Sequence, residues 1–211
     1  MSAIEAVISD FGGVLTTPLL DTFRAFEAAS GVSLEALGSA MAAVAQARGS
    51  NPLFELETGR MSETEFLDSL ADALSTHLGR EIRLSGFGER YFEHLQPNHD
   101  MIAFMRRLRS EGYKLAICTN NVREWEPLWR AMLPVDEIFD VVVDSAFVGA
   151  RKPDPEIYEL TLARLGVAAP GALLIDDIEL NCKAAEQLGI RSVWFRATGQ
   201  AIDDALAALA R

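Results

Sequence analysis

Residues 6–15 read Ala6-Val7-Ile8-Ser9-Asp10-Phe11-Gly12-Gly13-Val14-Leu15. An apolar run stops at a carboxylate, and a pair of glycines follows before the chain turns apolar again. A short apolar run bounded by glycine fits a buried strand of an α/β sheet. Asp10 then stands at the strand's carboxyl end, where open parallel sheets build their sites. Asp-x-Gly is also ordinary turn chemistry. This stretch alone leaves Asp10 either a turn cap or a functional carboxylate, and the rest of the chain has to decide.

Downstream of Pro18 the pattern becomes helical. Leu19 to Ser30 spaces Phe23 and Phe26 along a helix closed by Gly31, and an alanine-rich helix runs from Ser33 to near Gly49. Ser50-Asn51-Pro52 is a break. Ser62-Glu63-Thr64-Glu65 has the capping-box pattern and opens a helix carrying Phe66, Leu67, Leu70 and Leu74. A last piece runs from Phe87 to Leu95 and stops at Pro97. Residues 17–96 therefore read as a helical insertion.

From Asn98 strands and helices alternate. Asn98 caps a helix through Arg109 that Gly112 ends, and Tyr113 to Cys118 is a strand with Thr119-Asn120-Asn121 as its exit. A helix with Trp125 and Trp129 follows; the pair marks a core face or an interface, and helical spacing favours the core. Ile138 to Val143 reads as a strand, and Asp154-Pro155 as a helix start with Asp154 the N-cap, ending at Gly166. Ala172 to Ile175 is a strand with Asp176-Asp177 as its exit, and its helix ends at Gly189. Ser192 to Phe195 is the last strand, and Ile202 to Leu209 a closing helix. This alternation means βαβ units and a parallel sheet.

Bulk properties narrow the function. The chain has 211 residues, 49% of them hydrophobic, which fits one domain with a sizeable insertion and a real core. A formal charge of −12 argues against nucleic acid or an anionic membrane as the main partner. An anionic substrate would need a local cationic feature. Cys118 and Cys182 form neither a metal-ligand cluster nor a disulfide framework, and Cys118 lies in an apolar run. No basic leader precedes an apolar signal core and no apolar run reaches membrane-spanning length, so the expectation is a soluble cytoplasmic protein.

Asp10, Thr119 and Asp176-Asp177 each follow an apolar strand, and Lys152 follows the Ile138 to Val143 strand after a loop. In a parallel sheet those exits share one edge. The three carboxylates repel one another unless a hard cation binds, and oxygen ligands suit Mg²⁺. Thr119 with the amides of Asn120 and Asn121 is expected at a helix start, which favours phosphate. Lys152 precedes a helix N-terminus, where the dipole disfavours a cation unless it faces carboxylates and a phosphate. Singly, Thr119 and Asp177 are also good helix caps and Lys152 an ordinary surface lysine. Their joint occurrence at successive exits makes those readings improbable together.

In order, these segments resemble the four motifs of the haloacid dehalogenase-like hydrolases. Asp10 to Leu15 is similar to the first, Leu115 to Thr119 with Asn120 to the second, and Arg151-Lys152-Pro153-Asp154-Pro155 to the third. Leu173 to Asn181, containing Asp176-Asp177-x-x-x-Asn181, is similar to the fourth. The resemblance implies a Rossmann-like doubly wound parallel sheet core, residues 1–16 and 97–211. It also implies an inserted four-helix cap, residues 17–96. Glu57-Thr58-Gly59-Arg60-Met61-Ser62 resembles the cap segment of the branches similar to the epoxide hydrolase amino domain and the sugar phosphatases.

What the resemblance implies chemically is a phosphatase of a small phosphorylated metabolite. Asp10 would be the nucleophile, forming an aspartyl-phosphate. Asp10, the Gly12 carbonyl and Asp177 would hold Mg²⁺, with Asp176 beside them near Lys152. Thr119, Asn120 and Lys152 would bind the phosphoryl group. The chain departs from the family at Gly12, where phosphatases usually carry a second Asp as acid and base. A cap carboxylate such as Glu55 or Glu57, a water, or a substrate with a good leaving group would have to compensate. Otherwise the protein is a weak or inactive relative that binds a ligand or partner. Haloacid dehalogenation needs no acid at Gly12, but those enzymes lack the paired carboxylates. Arg48, Asn51, Phe54 and Arg60 stand near the predicted cap loop, with Arg48 and Arg60 as candidate anion contacts. Substrate identity and oligomeric state are not legible.

Overall fold

The computed structural model describes residues 3–18, 27, 31–84 and 86–210. Five strands form one sheet: β1 (Ala6–Ser9), β2 (Lys114–Thr119), β3 (Val141–Asp144), β4 (Ala172–Asp176) and β5 (Arg191–Trp194), in the order β3-β2-β1-β4-β5. Every neighbouring pair is parallel. The apolar runs have a simple cause, because both sheet faces are covered. Val7, Leu115, Ile117, Leu173 and Ile175 pack on one side with α5 (His99–Ser110) and α11 (Thr198–Leu209). Ala6, Ile8, Ala116, Cys118 and Leu174 pack on the other with α9 (Pro155–Leu165) and α10 (Glu179–Gln187). Helices on both faces of a parallel sheet make the fold α/β and doubly wound.

Between β1 and α5 the described residues form four helices: α1 (Leu34–Arg48), α2 (Pro52–Glu57), α3 (Glu63–Leu78) and α4 (Phe87–Glu93). The expected Leu19 to Ser30 helix lies outside the described residues, apart from Glu27. Helices α1 and α3 bury Ala36, Ala40, Leu67, Leu70 and Leu74 in an apolar cluster of their own. Local signals explain where they start. Ser33 Oγ accepts from Ala36 N–H, Asn51 Oδ1 from Leu53 N–H, and Ser62 and Glu65 form the capping box. The chain enters and leaves this helical segment through one paired crossing. Thr16 bridges Pro97, Thr17 N–H donates to Gln96 O at 2.8 Å, and Asn98 N–H donates to Leu15 O at 2.8 Å.

Several expected boundaries move. Val135–Ile138 is a short helix, α7, so Ile138 belongs to no strand, and β3 begins at Val141 and runs into the short helix α8 (Ser145–Val148). The apolar run misleads because Ile138 and Phe139 are buried as a helix end rather than a strand start. Asp154 precedes α9 in extended conformation but its side chain caps nothing, and Pro155 supplies the helix start. Strand β5 is Arg191–Trp194, and α11 begins earlier than expected, at Thr198. Among the described residues no helix is long and apolar enough to cross a membrane. Cys118 and Cys182 are both buried free thiols.

Candidate active site

The carboxyl ends of β1, β2 and β4 bring the expected groups to one edge. Asp10 follows β1, its N–H donating to Ile175 O of β4 at 2.9 Å. The local turn sets its side chain: Phe11 N–H donates to Asp10 Oδ1 at 2.7 Å, and Ser9 Oγ–H donates to Asp10 O at 2.7 Å. Lys152 is buried rather than solvated. Its ammonium lies 2.9 Å from Asp10 Oδ1 and 2.6 Å from Asp176 Oδ2. Asp10 Oδ2 has no hydrogen-bond partner among the described residues.

The two acids after β4 differ in engagement. Asp176 is fully buried, and its Oδ1 accepts from Ile178 N–H at 2.8 Å and Asn181 Nδ2–H at 3.0 Å. Tyr158 O–H donates to Asn181 O at 3.0 Å. Asp176 therefore ties Lys152 to the start of α10. Asp177 is half-buried, and apart from its own backbone N–H no described residue is bonded to its carboxylate. Gly13 makes room for it. Its φ of 78° lies in the left-handed region, and a Cβ there would collide with Asp177 Oδ2.

Electrostatics identify what this cluster lacks. Burial raises the Asp10 carboxyl to about 7; Lys152 opposes this and Asp176 and Asp177 add to it. Burial and Asp176 raise Asp177 to about 6, against Lys152. Burial alone would lower the Lys152 ammonium, but Asp10 and Asp176 outweigh it and raise the pKa well above the ordinary lysine value. Three carboxylates against one ammonium leave two negative charges uncompensated when all are ionised. Oxygens of Asp10, Asp176 and Asp177 lie within 4.8 Å of one another. With the space at Gly13, this all-oxygen set fits a hard divalent cation such as Mg²⁺.

The exit of β2 departs from expectation. Thr119 ends the strand, paired with Asp144, and no α-helix starts there. Irregular residues lead to a 3₁₀ turn, Arg123–Trp125, and only then to α6 (Glu126–Arg130), so no long helix dipole faces the site. Asn121 N–H donates to Ser145 Oγ at 3.0 Å and is not offered outward. The Asn120 side chain clamps the lysine loop: its Nδ2–H donates to Lys152 O at 2.9 Å, and its Oδ1 accepts from Lys152 N–H at 2.8 Å. Its side chain thus positions Lys152.

Gly12, Thr119 and Asn120 open into a cavity of about 350 Å³ beneath the helical segment. Glu57 also lines it, paired with Arg151 at 2.6 Å, and burial raises its carboxyl against the pull of Arg151. Glu55 does not line it; Ser50 and Arg48 hold that group, and Arg48 lies 3.1 Å away. Arg60 is exposed, Asn51 caps α2, and Phe54 lies under Arg151 at 3.8 Å. None of Arg48, Asn51, Phe54 and Arg60 lines the cavity. Trp129 is fully buried in the core as expected, whereas Trp125 faces the cavity and donates from Nε1 to Glu63 Oε1 at 2.8 Å. Sequence reasoning missed Gly13, Arg151, Tyr91 and the cavity side of Trp125. Only Gly13 carried a signal, as the second of the two glycines that follow Asp10 and Phe11.

A model of the haloacid dehalogenase-like hydrolase family matches residues 4–189. The chain belongs to this family. It is a hydrolase. Over 207 residues, 95% of this chain and 91% of the relative, it is 32% identical to phosphatase MT3486 of Mycobacterium tuberculosis. It is 27% identical over 198 residues to the sesquiterpene phosphatase astK of Aspergillus oryzae, 90% of this chain and 88% of that one. Against three other curated relatives the match spans only 18–38% of their length. A predicted HAD-like family hydrolase of Porphyromonas gingivalis shares the fold, with a TM-score of 0.71 and 24% identity over 100% of this chain and 99% of that one.

Proposed function

We propose that the protein is a magnesium-dependent phosphatase of small phosphorylated metabolites that works through an aspartyl-phosphate on Asp10. The observation that carries this reading is the Asp10–Lys152–Asp176 chain of contacts at the strand exits, with Asp177 open beside it. Asp10 Oδ2 bonds to phosphorus as the ester P–O bond breaks, and the leaving oxygen takes a proton. Water then attacks the same phosphorus, the bond to Asp10 breaks, phosphate departs and the water gives up a proton. Lys152 and Thr119 Oγ1 offset charge on the phosphoryl oxygens. Asp10, the Gly12 carbonyl and Asp177 would hold Mg²⁺, with Asp176 anchoring Lys152 behind them, and the ion would supply further charge compensation on the phosphoryl group.

With glycine at position 12, the proton has to come from elsewhere. Glu57 is the cap carboxylate that shares a cavity with Gly12 and Thr119, and its raised pKa suits a proton carrier. In this reading residues 17–96 act as the cap and 1–16 with 97–211 as the core, a division supported by the paired crossing at Thr16 and Pro97.

The test is phosphate release from sugar, nucleotide and acyl phosphates, with and without Mg²⁺, by the wild-type protein and Asp10→Asn. Turnover that needs Mg²⁺ and disappears in Asp10→Asn is expected. Turnover surviving in that variant would overturn the mechanism, and a blank screen with a metabolite retained would favour a binding protein.

A further inference from the structure

We infer that the part of the substrate beyond its phosphate is a bulky hydrocarbon, housed in the cavity between cap and core. The inference rests on the phosphatase reading for where the phosphate sits, at the mouth marked by Gly12 and Thr119.

The wall of that cavity is apolar from mouth to floor. Phe11 stands at the carboxylate end, and Leu37, Phe66, Leu70, Phe87 and Trp125 carry the wall into the helical segment. Trp125 and Tyr91 stack with ring centroids 5.1 Å apart, Phe87 stacks on both, and Phe92 meets Trp125 edge-on at 5.6 Å. This aromatic panel is contributed jointly by α4 and the turn after β2, so it exists only where cap and core meet. Gly88 permits the approach, because a Cβ there would strike Trp125 Nε1.

The polar side chains on the wall are already engaged. Glu63 accepts from Trp125 Nε1–H, Glu57 pairs with Arg151, Asn120 clamps Lys152, and Asn121 Oδ1 accepts from Val122 N–H. Thr119 sits at the phosphate end. Sugar hydroxyls or a nucleobase entering this space would leave water and find few free partners, which is unfavourable. An aliphatic or alicyclic group loses nothing polar and gains from burial.

The test measures binding and turnover separately, using butyl, hexyl, octyl and decyl phosphate below their micelle concentrations beside glucose 6-phosphate and adenosine monophosphate. Binding is read on the Asp10→Asn protein with Mg²⁺ by calorimetry and by Trp125 fluorescence, with Trp125→Phe as the assignment control. Affinity is expected to rise about threefold to fourfold per buried methylene until the cavity is filled. The two polar phosphates are expected to bind more weakly than hexyl phosphate. A flat series, or tighter binding of either polar phosphate, overturns the inference. Graded binding without turnover by wild-type protein sustains it while removing the phosphatase reading. Equal turnover of polar and alkyl esters does the reverse.

Discussion

Lys152 Nζ lies 2.9 Å from Asp10 Oδ1, and the lysine side chain is 1% exposed. Removing that ammonium while keeping the carbon chain isolates two buried carboxylates that share it. Lys152→Met is expected to cost about 3–5 kcal/mol of stability, as for one partner deleted from a buried pair. It should also lower kcat about 10²–10³-fold, the usual loss of one preorganised charge-stabilising group. Urea unfolding and phosphate release measure the two effects. A midpoint like wild type would show that the carboxylates do not depend on Lys152.

Glu57 is tested through the leaving group. Glu57→Gln is expected to slow hydrolysis of alkyl phosphates about 10²-fold, the scale of general acid catalysis. Acyl phosphates, whose leaving group needs no proton, should be nearly unaffected. Gly12→Asp supplies the carboxyl the family usually carries, and should raise kcat on alkyl esters in the Glu57→Gln background. Equal losses on both substrate classes would assign Glu57 to the Arg151 pair alone.

Gly13 and Asp177 form a steric pair. Gly13→Ala places a Cβ against the Asp177 carboxylate and forces a side chain into a left-handed backbone, which costs about 1–2 kcal/mol. In wild type, Mg²⁺ is expected to raise the thermal midpoint, by an amount that grows with the logarithm of its concentration once that exceeds the dissociation constant. That rise should shrink in Gly13→Ala and vanish in Asp177→Asn. An unchanged rise in Asp177→Asn would remove Asp177 from the metal site. Chelation should abolish turnover, with Mg²⁺ restoring it.

Asp144 supplies a pH test outside the Asp10–Asp176–Asp177 cluster. Burial, with Glu126 adding and Ala146 N–H, the Trp129 indole and Arg123 opposing, raises its carboxyl from 3.8 to about 6. Its buried Oδ2 meets no hydrogen-bond partner of good geometry among the described residues. The folded state therefore holds this proton more tightly than the unfolded chain. The stability it contributes is complete below about pH 4 and is lost as pH rises through about 6. Asp144→Asn keeps the Oδ1 acceptor for Ala146 N–H, 3.0 Å away. It is expected to be more stable than wild type at pH 7.5 by on the order of 1–3 kcal/mol. The difference should disappear toward pH 4 in chemical denaturation. A pH-independent difference would place the effect elsewhere.

Much of the site was readable because its parts are local. Asp10, Thr119 and Asp176 each sit at the point where an apolar run stops, and a parallel sheet carries all such points to one edge. The caps of α1, α2 and α3 were equally local, each a side chain within three residues of its N–H group. Where only a preference was present, neighbours decided. Ile138 satisfied a strand pattern but is buried at the end of a helix. Asp154 satisfied a cap pattern, yet Pro155 starts the helix without its side chain.

The amino-acid order by itself determined the α/β alternation, the helical insertion and the identity of the strand-exit residues. Those follow from periodicity and from turn chemistry, which act over a few neighbouring residues. Tertiary structure alone decided that Lys152 is buried on Asp10, that Asn120 holds its loop, and that Glu57 rather than Glu55 reaches the cavity. It also decided that Trp125 lines that cavity while Trp129 fills the core. An apolar pattern says which side of an element avoids water. Whether that side meets another element or encloses a cavity depends on how segments far apart in the chain are brought together.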